Sequence, residues 1–373
     1  MSLTTPQARI VLRDRITSGK IHIENGLIGA IDETPTIETM IDGDYIIPGV
    51  VDVHTDNLER QVQPRLTARW PSRSAMLAHD AQCAAAGVTT VLDALCLGDL
   101  ALDQGRIKTF RDAVVDLDAL ADTGLLKSEH FLHLRLEMPA ANVIDLVEPV
   151  ADHKRVRMIS LMDHSPGVGQ YADLDQYRNA RRREGKTEDW IERRINELAE
   201  QRARWRNPNR AALLARVAHT HVPLASHDDR TQEEIEENFR DGIRISEFPV
   251  TIEAAKAAHA HGMTTIAGAP NIVRGGSHSG NIAVTDLIAE NLVDALASDY
   301  VPASLIEAAF IAATDRITLP EAIALITDNP AKMANLNDRG RIEPGLRADL
   351  VHIRVHEGMP VVRQVWRAGE RVA

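Results

Sequence analysis

The sequence predicts an α/β chain organised as a (β/α)8 TIM-like barrel with a small β-domain built from both termini. Three observations carry that prediction. The middle of the chain alternates apolar runs of β type with helical stretches, both ends read as short strands around turn pairs, and several central runs finish on histidine or a carboxylate.

Residues 1–47 open with RIVLRDRI and GKIHIENGLIGAIDE, in which polar and apolar residues alternate. Residues 339–373 close the chain in the same style, with ADLVHIRV and PVVRQVWRAGERVA after the turn EPGLRAD. The simplest arrangement joins the two ends in one β-domain. Residues 48–338 hold the runs IIPGVVDVH, VTTVLDALC, HFLHLRLEM, VRMISLMDH, VPLASHDD, IRISEFPV, MTTIAGAP and VDALASDY, separated by stretches such as SAMLAHDAQCAAAG and TIEAAKAAHAHG. Eight such units suggest a closed barrel of parallel strands. An open doubly wound sheet is the structural competitor, but the glycine-rich turn it usually carries after its first strand is missing. Residues 175–215 break the rhythm. They are highly charged with helical spacing and are expected to form a solvated helical insertion. A lid or a subunit contact is the other reading, because Trp190, Ile191, Ile195 and Leu198 would share one apolar face.

Composition narrows the partners. Apolar residues at 44% and charged residues at 26% describe an ordinary globular chain. A net charge of −12 argues against nucleic acid and anionic membrane surfaces, though it allows a local basic pocket. Cys83 and Cys96 both sit in apolar runs and form no disulfide framework. With no signal-peptide pattern at the start and no membrane-length apolar run, the expectation is a cytoplasmic protein with a small-molecule partner. Whether it forms a homo-oligomer is left open.

The candidate chemistry is concentrated where strands end. His54 and Asp56 (VDVHTD), Glu137 (LRLE), His164 (SLMDH), His227 (ASHDD) and Asp299 (ASDY) close their runs. In a barrel the carboxyl ends of the strands share one rim, so groups distant in sequence meet there. The spacing His54-x-Asp56 sends both side chains to the same side of a strand. Imidazole with carboxylate suits a divalent metal, zinc first and manganese or iron as alternatives, as one ion or two. Single histidines are more often structural, and His79, His130, His133, His153, His219, His221, His259 and His261 are expected to be core or surface residues. Asp299 is the candidate catalytic residue, placed to take a proton from a water made acidic by the metal. Glu137 would either bridge two ions or pair with an arginine such as Arg135.

A second group of signals points to anions. The loop NIVRGGSHSGN offers backbone N–H groups at Gly275 and Gly276, with Arg274 and His278 for phosphate oxygens. Arg60 and Arg65 follow the first ligands, Arg230 follows His227, and DHSPGVGQY is a further glycine-rich loop. Basic or N–H-rich loops around a metal centre suggest a polyanionic substrate.

The leader IIPGVVDVH, the closing IEPGLRADLV and the strand-end ligands resemble the amidohydrolase superfamily. More closely, HTDN, SLMDHSPG, LASHDDRT, NIVRGGSHSGN and DNPAKMANLNDRGRIEPGLRADLV, met in order along the chain, resemble the PhnM family of the carbon–phosphorus lyase pathway. That resemblance implies a deformed barrel with a small β-sandwich, a divalent metal, and hydrolysis of α-D-ribose 1-methylphosphonate 5-triphosphate to the 5-phosphate and pyrophosphate. A carbamylated lysine often bridges the metals in relatives; no lysine stands at a suitable strand end here, so Glu137 is expected to take that role. His54-Thr55-Asp56 replaces the superfamily's usual His-x-His, as in that family. Two rivals stay open: a cyclic amidohydrolase or deaminase on the same scaffold, which has no need of anion-binding loops, and a non-catalytic binding subunit of a phosphonate-processing complex, which has no need of a full ligand set.

Overall fold

The computed structural model describes residues 2–34, 42–65, 67–98, 100, 104–277, 281–314 and 316–373. Eight parallel strands follow one another around a sheet in chain order: Val50–Thr55, Val88–Leu97, Glu129–Glu137, Val156–Met162, Leu224–His227, Ile245–Glu247, Thr264–Gly268 and Ala295–Ala297. The first and last meet where the Asp56 N–H donates to the Asp299 carbonyl (2.8 Å) and the Asp299 N–H to the His54 carbonyl (3.0 Å). The chain therefore adopts the expected α/β barrel. Val88–Leu97 is buried at every position, as a parallel strand covered on both faces must be.

The barrel interior explains why the rim carries the chemistry. Val51, Leu92, Phe131, Met158, Ala225, Ile245, Ile266 and Ala297 pack together inside it, sealed by Ala331, Ala334 and Leu336. Side chains alternate along a strand, so the inward face continues from Phe131 through His133 and Arg135 to Glu137. The same step leads from Ala225 to His227, from Ile245 to Glu247 and from Ala297 to Asp299. On the first strand the pairing slips between Asp52 and Thr55. Past that slip, His54 sits against the rings of His133 and His227.

The terminal segments form a second sheet. Gly43–Pro48 pairs antiparallel with Leu350–His356, which joins the two ends of the chain. Ile28 N–H donates to the Leu346 carbonyl (2.8 Å) and Ala348 N–H to the Gly26 carbonyl (2.9 Å). The sheet thereby closes over a core of Ile10, Ile21, Ile23, Ile46, Leu350 and Trp366. The β-sandwich expected from the family is thus built as one hydrogen-bonded sheet folded on itself, among the described residues. Glu129, at the start of the third barrel strand, accepts from Arg339 (2.7 Å) and Arg347 and so ties this domain to the barrel.

The insertion is two helices, Leu174–Arg183 and Glu188–Val217, capped by the side chains of Asp173 and Thr187. Ile191 and Leu198 are buried and Trp190 and Ile195 half-buried. Asn209 donates from Nδ2 to the carbonyls of Met138 (2.8 Å) and Ala140 (2.9 Å), directly after Glu137. The segment expected to be a solvated insertion therefore leans on the rim at the carboxyl ends of the barrel strands, because its apolar stripe has a place to bury there. Among the described residues no helix is long and apolar enough to cross a membrane.

Candidate active site

Glu247 organises the centre of the rim. It is fully buried, and its Oε1 accepts from His54 Nδ1 (2.6 Å) while its Oε2 accepts from His227 Nδ1 (2.7 Å). Burial alone would raise this carboxyl, but His54, His133 and His227 around it hold it well below the usual range. An ionised carboxylate only accepts, so both imidazoles carry a proton on Nδ1. Burial opposes charging His227 but Asp228 and Glu247 raise its pKa, so its Nε2 offers a lone pair in the neutral form that a bound cation selects. Their rings stack with centroids 6.1 Å apart. Ser160 Oγ lies 2.9 Å from Glu247 Oε2 and 2.5 Å from His133 Nε2, closing the floor of the site. Glu137 treats His164 in the same way, accepting from its Nδ1 (2.7 Å) and its backbone N–H (2.8 Å).

The Glu137–His164 and Glu247–His227 pairs direct their other ring nitrogens towards one carboxylate. His164 Nε2 and His227 Nε2 each lie 3.8 Å from Asp228 Oδ2. That is too long for a hydrogen bond. It is close to the roughly 3.4 Å between two ligands on one tetrahedral ion with bonds of about 2.1 Å. Asp228 Oδ2 and His54 Nε2 are both buried without a hydrogen-bond partner among the described residues. Buried polar atoms are rarely left so. Burial pushes the His54 imidazole down to about 4, so it is neutral and in the form that ligates. A carboxylate behind each imidazole is the support that orients metal-binding histidines. The donor set therefore fits a divalent cation. The rim is also strained: Asp228, Phe248 and Asp299 hold φ of 56, 56 and 55°, a left-handed backbone that costs non-glycine residues about 1–3 kcal/mol each.

A second cluster of similar composition behaves differently. Behind the barrel wall, Asp93 pairs with His79 Nε2 (2.7 Å) and His130 Nδ1 (2.9 Å), and His130 Nε2 reaches Asp80 (3.2 Å). His79 Nδ1 meets Asn57 Nδ2 at 3.0 Å, one residue beyond Asp56. Here His79, His130 and Asp93 each have partners for both polar atoms, so this is a buried charge network rather than a place left for an ion.

Asp56 and Asp299 face the same cavity. Burial first, then Asp56, raises the Asp299 carboxyl to about 7. Arg135 opposes both: its Nη1 lies 4.0 Å from Asp56 Oδ2, and its Nε is buried without a partner among the described residues. The cavity holds about 500 Å³, with Asp56, Glu137, His164, His227, Asp228 and Asp299 in its wall together with Arg106, Arg135, Arg181, Arg194 and Arg274.

Of the residues singled out from sequence, Asp56, Glu137, His164, His227, Asp299, Arg274 and Gly276 line this cavity. His54 lies buried beside it. Both Glu137 oxygens are engaged by His164, so a bridging role would require that carboxylate to turn away. Gly275 takes φ 76° to end the helix Ala269–Arg274. Arg60 donates to the Tyr300 carbonyl (2.8 Å), while Arg65 and Arg230 are exposed and stand outside the cavity wall. His278, with Ser279 and Gly280, lies outside the described residues. Sequence reasoning passed over Asp228, Glu247, His133, Arg106, Arg181 and Arg194. Asp228 stood in the quoted ASHDD. Glu247 ends the sixth run, ISE, at the position where other runs carry a ligand. The insertion arginines carried no usable signal, because RNARRR reads as a solvated face.

This rim and fold define an amidohydrolase-type barrel. The Amidohydrolase family pattern matches residues 187–373. N-acetylglucosamine-6-phosphate deacetylase from Thermotoga maritima shares the fold with a TM-score of 0.61 at 14% identity, covering 100% of this chain and 99% of that one. 5-Methylcytosine deaminase from Klebsiella pneumoniae does so with a TM-score of 0.63 at 13% identity, covering 100% and 98%. In sequence, the α-D-ribose 1-methylphosphonate 5-triphosphate diphosphatase of Escherichia coli (strain K12) is 41% identical over 373 residues, 98% of each chain. The chain belongs to that diphosphatase's family within the amidohydrolase superfamily.

Proposed function

We propose that the chain hydrolyses the α–β phosphoanhydride of α-D-ribose 1-methylphosphonate 5-triphosphate, releasing the 5-phosphate and pyrophosphate. The observation that carries this reading is the wall of one cavity, which combines an imidazole and carboxylate cluster with five arginines. A neutral cyclic amide gives those guanidiniums nothing to bind, whereas a triphosphate matches them. The relationship to the E. coli diphosphatase supports the same substrate.

His164, His227 and Asp228, whose ligand atoms already lie together, would hold a divalent cation, with His54 joining through its unpartnered Nε2. Asp56 and Asp299 stand beside it for a second, and Glu137 would serve there only after turning from His164. A donor set rich in imidazole suits zinc. Such a cation, when bound, polarises a phosphoryl oxygen and makes water more acidic. Asp299, its carboxyl raised towards neutrality, takes the proton of the water that attacks the α phosphorus. The bond from that phosphorus to the α–β bridging oxygen breaks, and the oxygen leaves with pyrophosphate. Arg135 and Arg274 face the charge that spreads over the phosphoryl oxygens. Cys83 and Cys96 are free and buried, which suits the reducing cytoplasm.

The test is ³¹P NMR of the zinc-loaded protein with the ribosyl triphosphate. Equal amounts of pyrophosphate and 5-phosphate are expected. Orthophosphate as the sole released phosphate, or turnover of hydantoins, dihydroorotate or nucleobases instead, refutes the reading.

A further inference from the structure

We infer that the two inserted helices supply a terminal-phosphate subsite, in which Arg181 and Arg194 hold the β and γ phosphates of the leaving pyrophosphate. The inference rests on the phosphoanhydride reading above and extends it from the reacting centre to substrate choice.

Helical spacing delivers the residues. Tyr177 and Arg181 stand four apart on Leu174–Arg183, and Trp190, Arg194 and Leu198 stand four apart on Glu188–Val217. Residues at that spacing share a helix face. All five line the cavity. The insertion is rich in arginine, but its arginines divide by direction. Arg178 is satisfied by Glu192 (2.7 Å) and Asp175 (3.0 Å), and Arg182 by Glu188 (2.6 and 2.9 Å). The two that face the cavity retain spare donors. Arg181 Nε and Arg194 Nη2 are buried and have no partner among the described residues, although Arg181 Nη1 reaches Glu184 (2.9 Å) and Arg194 Nη1 reaches Glu197 (3.1 Å). The Arg181 guanidinium lies 5.1 Å from the centre of the Tyr177 ring, which holds it in place.

Buried donors left unpaired cost free energy, so a wall that carries two of them is built for an acceptor that arrives with the ligand. Guanidinium forks match phosphate oxygens in pairs. The acids of the cavity are Asp56, Glu137, Asp228 and Asp299, at the ends of barrel strands, and among the described residues the insertion brings none to the wall. A substrate with its α phosphorus over the acids would carry its further phosphates to the wall that is basic. The insertion would then read how many phosphates the substrate has.

The experiment compares wild type with Arg181→Gln, Arg194→Gln and the double variant. Inorganic tripolyphosphate and orthophosphate are titrated calorimetrically into metal-loaded protein, and kcat/KM is measured for the ribosyl 5-triphosphate and the corresponding 5-diphosphate. Each single variant is expected to bind tripolyphosphate about tenfold more weakly and the double variant about a hundredfold. Orthophosphate binding should stay within about twofold, and the triphosphate-to-diphosphate preference should fall with tripolyphosphate affinity. Arg193→Gln, on the outer face with 67% of its side chain exposed, should behave as wild type. Lysine variants at 181 and 194 repeat the comparison if glutamine prevents folding, since one ammonium replaces the fork. Tripolyphosphate affinity and phosphate-number preference equal to wild type in the double variant, or in both lysine variants, overturn the subsite. A wild type that binds tripolyphosphate through these arginines yet leaves the ribosyl triphosphate intact would sink the reaction and keep the subsite. Full turnover by the double variant would do the reverse.

Discussion

Replacing Glu247 with glutamine is the sharpest test of how the metal ligands are held. The carboxylate accepts two Nδ1 protons, from His54 and His227, on its two oxygens. Glutamine keeps one acceptor and puts an NH2 donor in place of the other. The ring that meets that donor must accept on Nδ1, so its proton moves to Nε2. An N–H then points to where a lone pair is needed, and one imidazole is lost as a ligand while keeping nearly the same shape. Loss of one outer carboxylate contact costs about 10–100-fold in metal affinity. Glutamine gives up one of the two contacts and keeps the other, so the variant should bind zinc about 10–100-fold more weakly, or about 1.4–2.7 kcal/mol. Zinc content after dialysis and competition with a chromogenic chelator measure this directly, with turnover followed in parallel. If Glu247→Gln binds zinc within threefold of wild type, the carboxylate does not set the tautomers and the centre is assembled in some other way.

The remaining predictions are shorter. Asp299→Asn should keep its metal and lose about 10²–10⁴-fold in kcat, and an unchanged rate removes Asp299 from proton transfer. Arg135→Gln removes the positive charge that opposes the raised Asp56 and Asp299 carboxyls, so the acid limb of kcat/KM should move to higher pH; a limb that stays or moves down contradicts this. Burial opposes charging His130, but Asp93 and Asp80 raise it from 6.5 to about 9. Its contribution, about 3 kcal/mol, is complete below pH 6.5, shrinks through the interval and is gone above about 9. The melting temperature of wild type should therefore fall more steeply between pH 7 and 9.5 than that of His130→Gln, and parallel curves would count against the network. Chelation should abolish turnover and lower the melting temperature, with zinc at a thousandfold excess over its Kd restoring about 4 kcal/mol; a melting temperature indifferent to zinc would mean no ion is bound in the folded state.

What the sequence disclosed follows from where its signals are local. The barrel was legible because each strand-to-helix unit is a short pattern, and His54, His164 and His227 were legible because strand ends share a rim. Glu247 was harder. Nothing within ISEF distinguishes a carboxylate that orients two histidines from one that pairs with an arginine, since its partners are 193 and 20 residues away. His79, His130 and His133 were set aside as structural, and the first two do form a satisfied buried network, while His133 lies in the floor beneath His54. The terminal sheet was legible as strands, but its closure depends on Ile28 and Leu346 meeting across the chain. The insertion defeated periodicity for a physical reason: an arginine aimed at solvent and one aimed at a cavity look alike until the helix is docked.

That docking also reconciles an acidic protein with an anionic substrate. A net charge of −12 should repel a triphosphate at long range, yet the field that matters acts within a Debye length of about 8 Å in physiological salt. Inside the cavity the arginines of strand Glu129–Glu137, of the helix beginning at Gln104, of the helix Ala269–Arg274 and of the insertion contribute together, from four separate parts of the chain. Outside it, Arg178, Arg182, Arg206 and Arg216 are each paired with a neighbouring acid, whereas Arg181 and Arg194 share one nitrogen with Glu184 and Glu197 and retain a further donor. Adding salt should weaken substrate binding through the cavity arginines, so KM for the triphosphate should rise with ionic strength in wild type and rise less once Arg181 and Arg194 are replaced by glutamine.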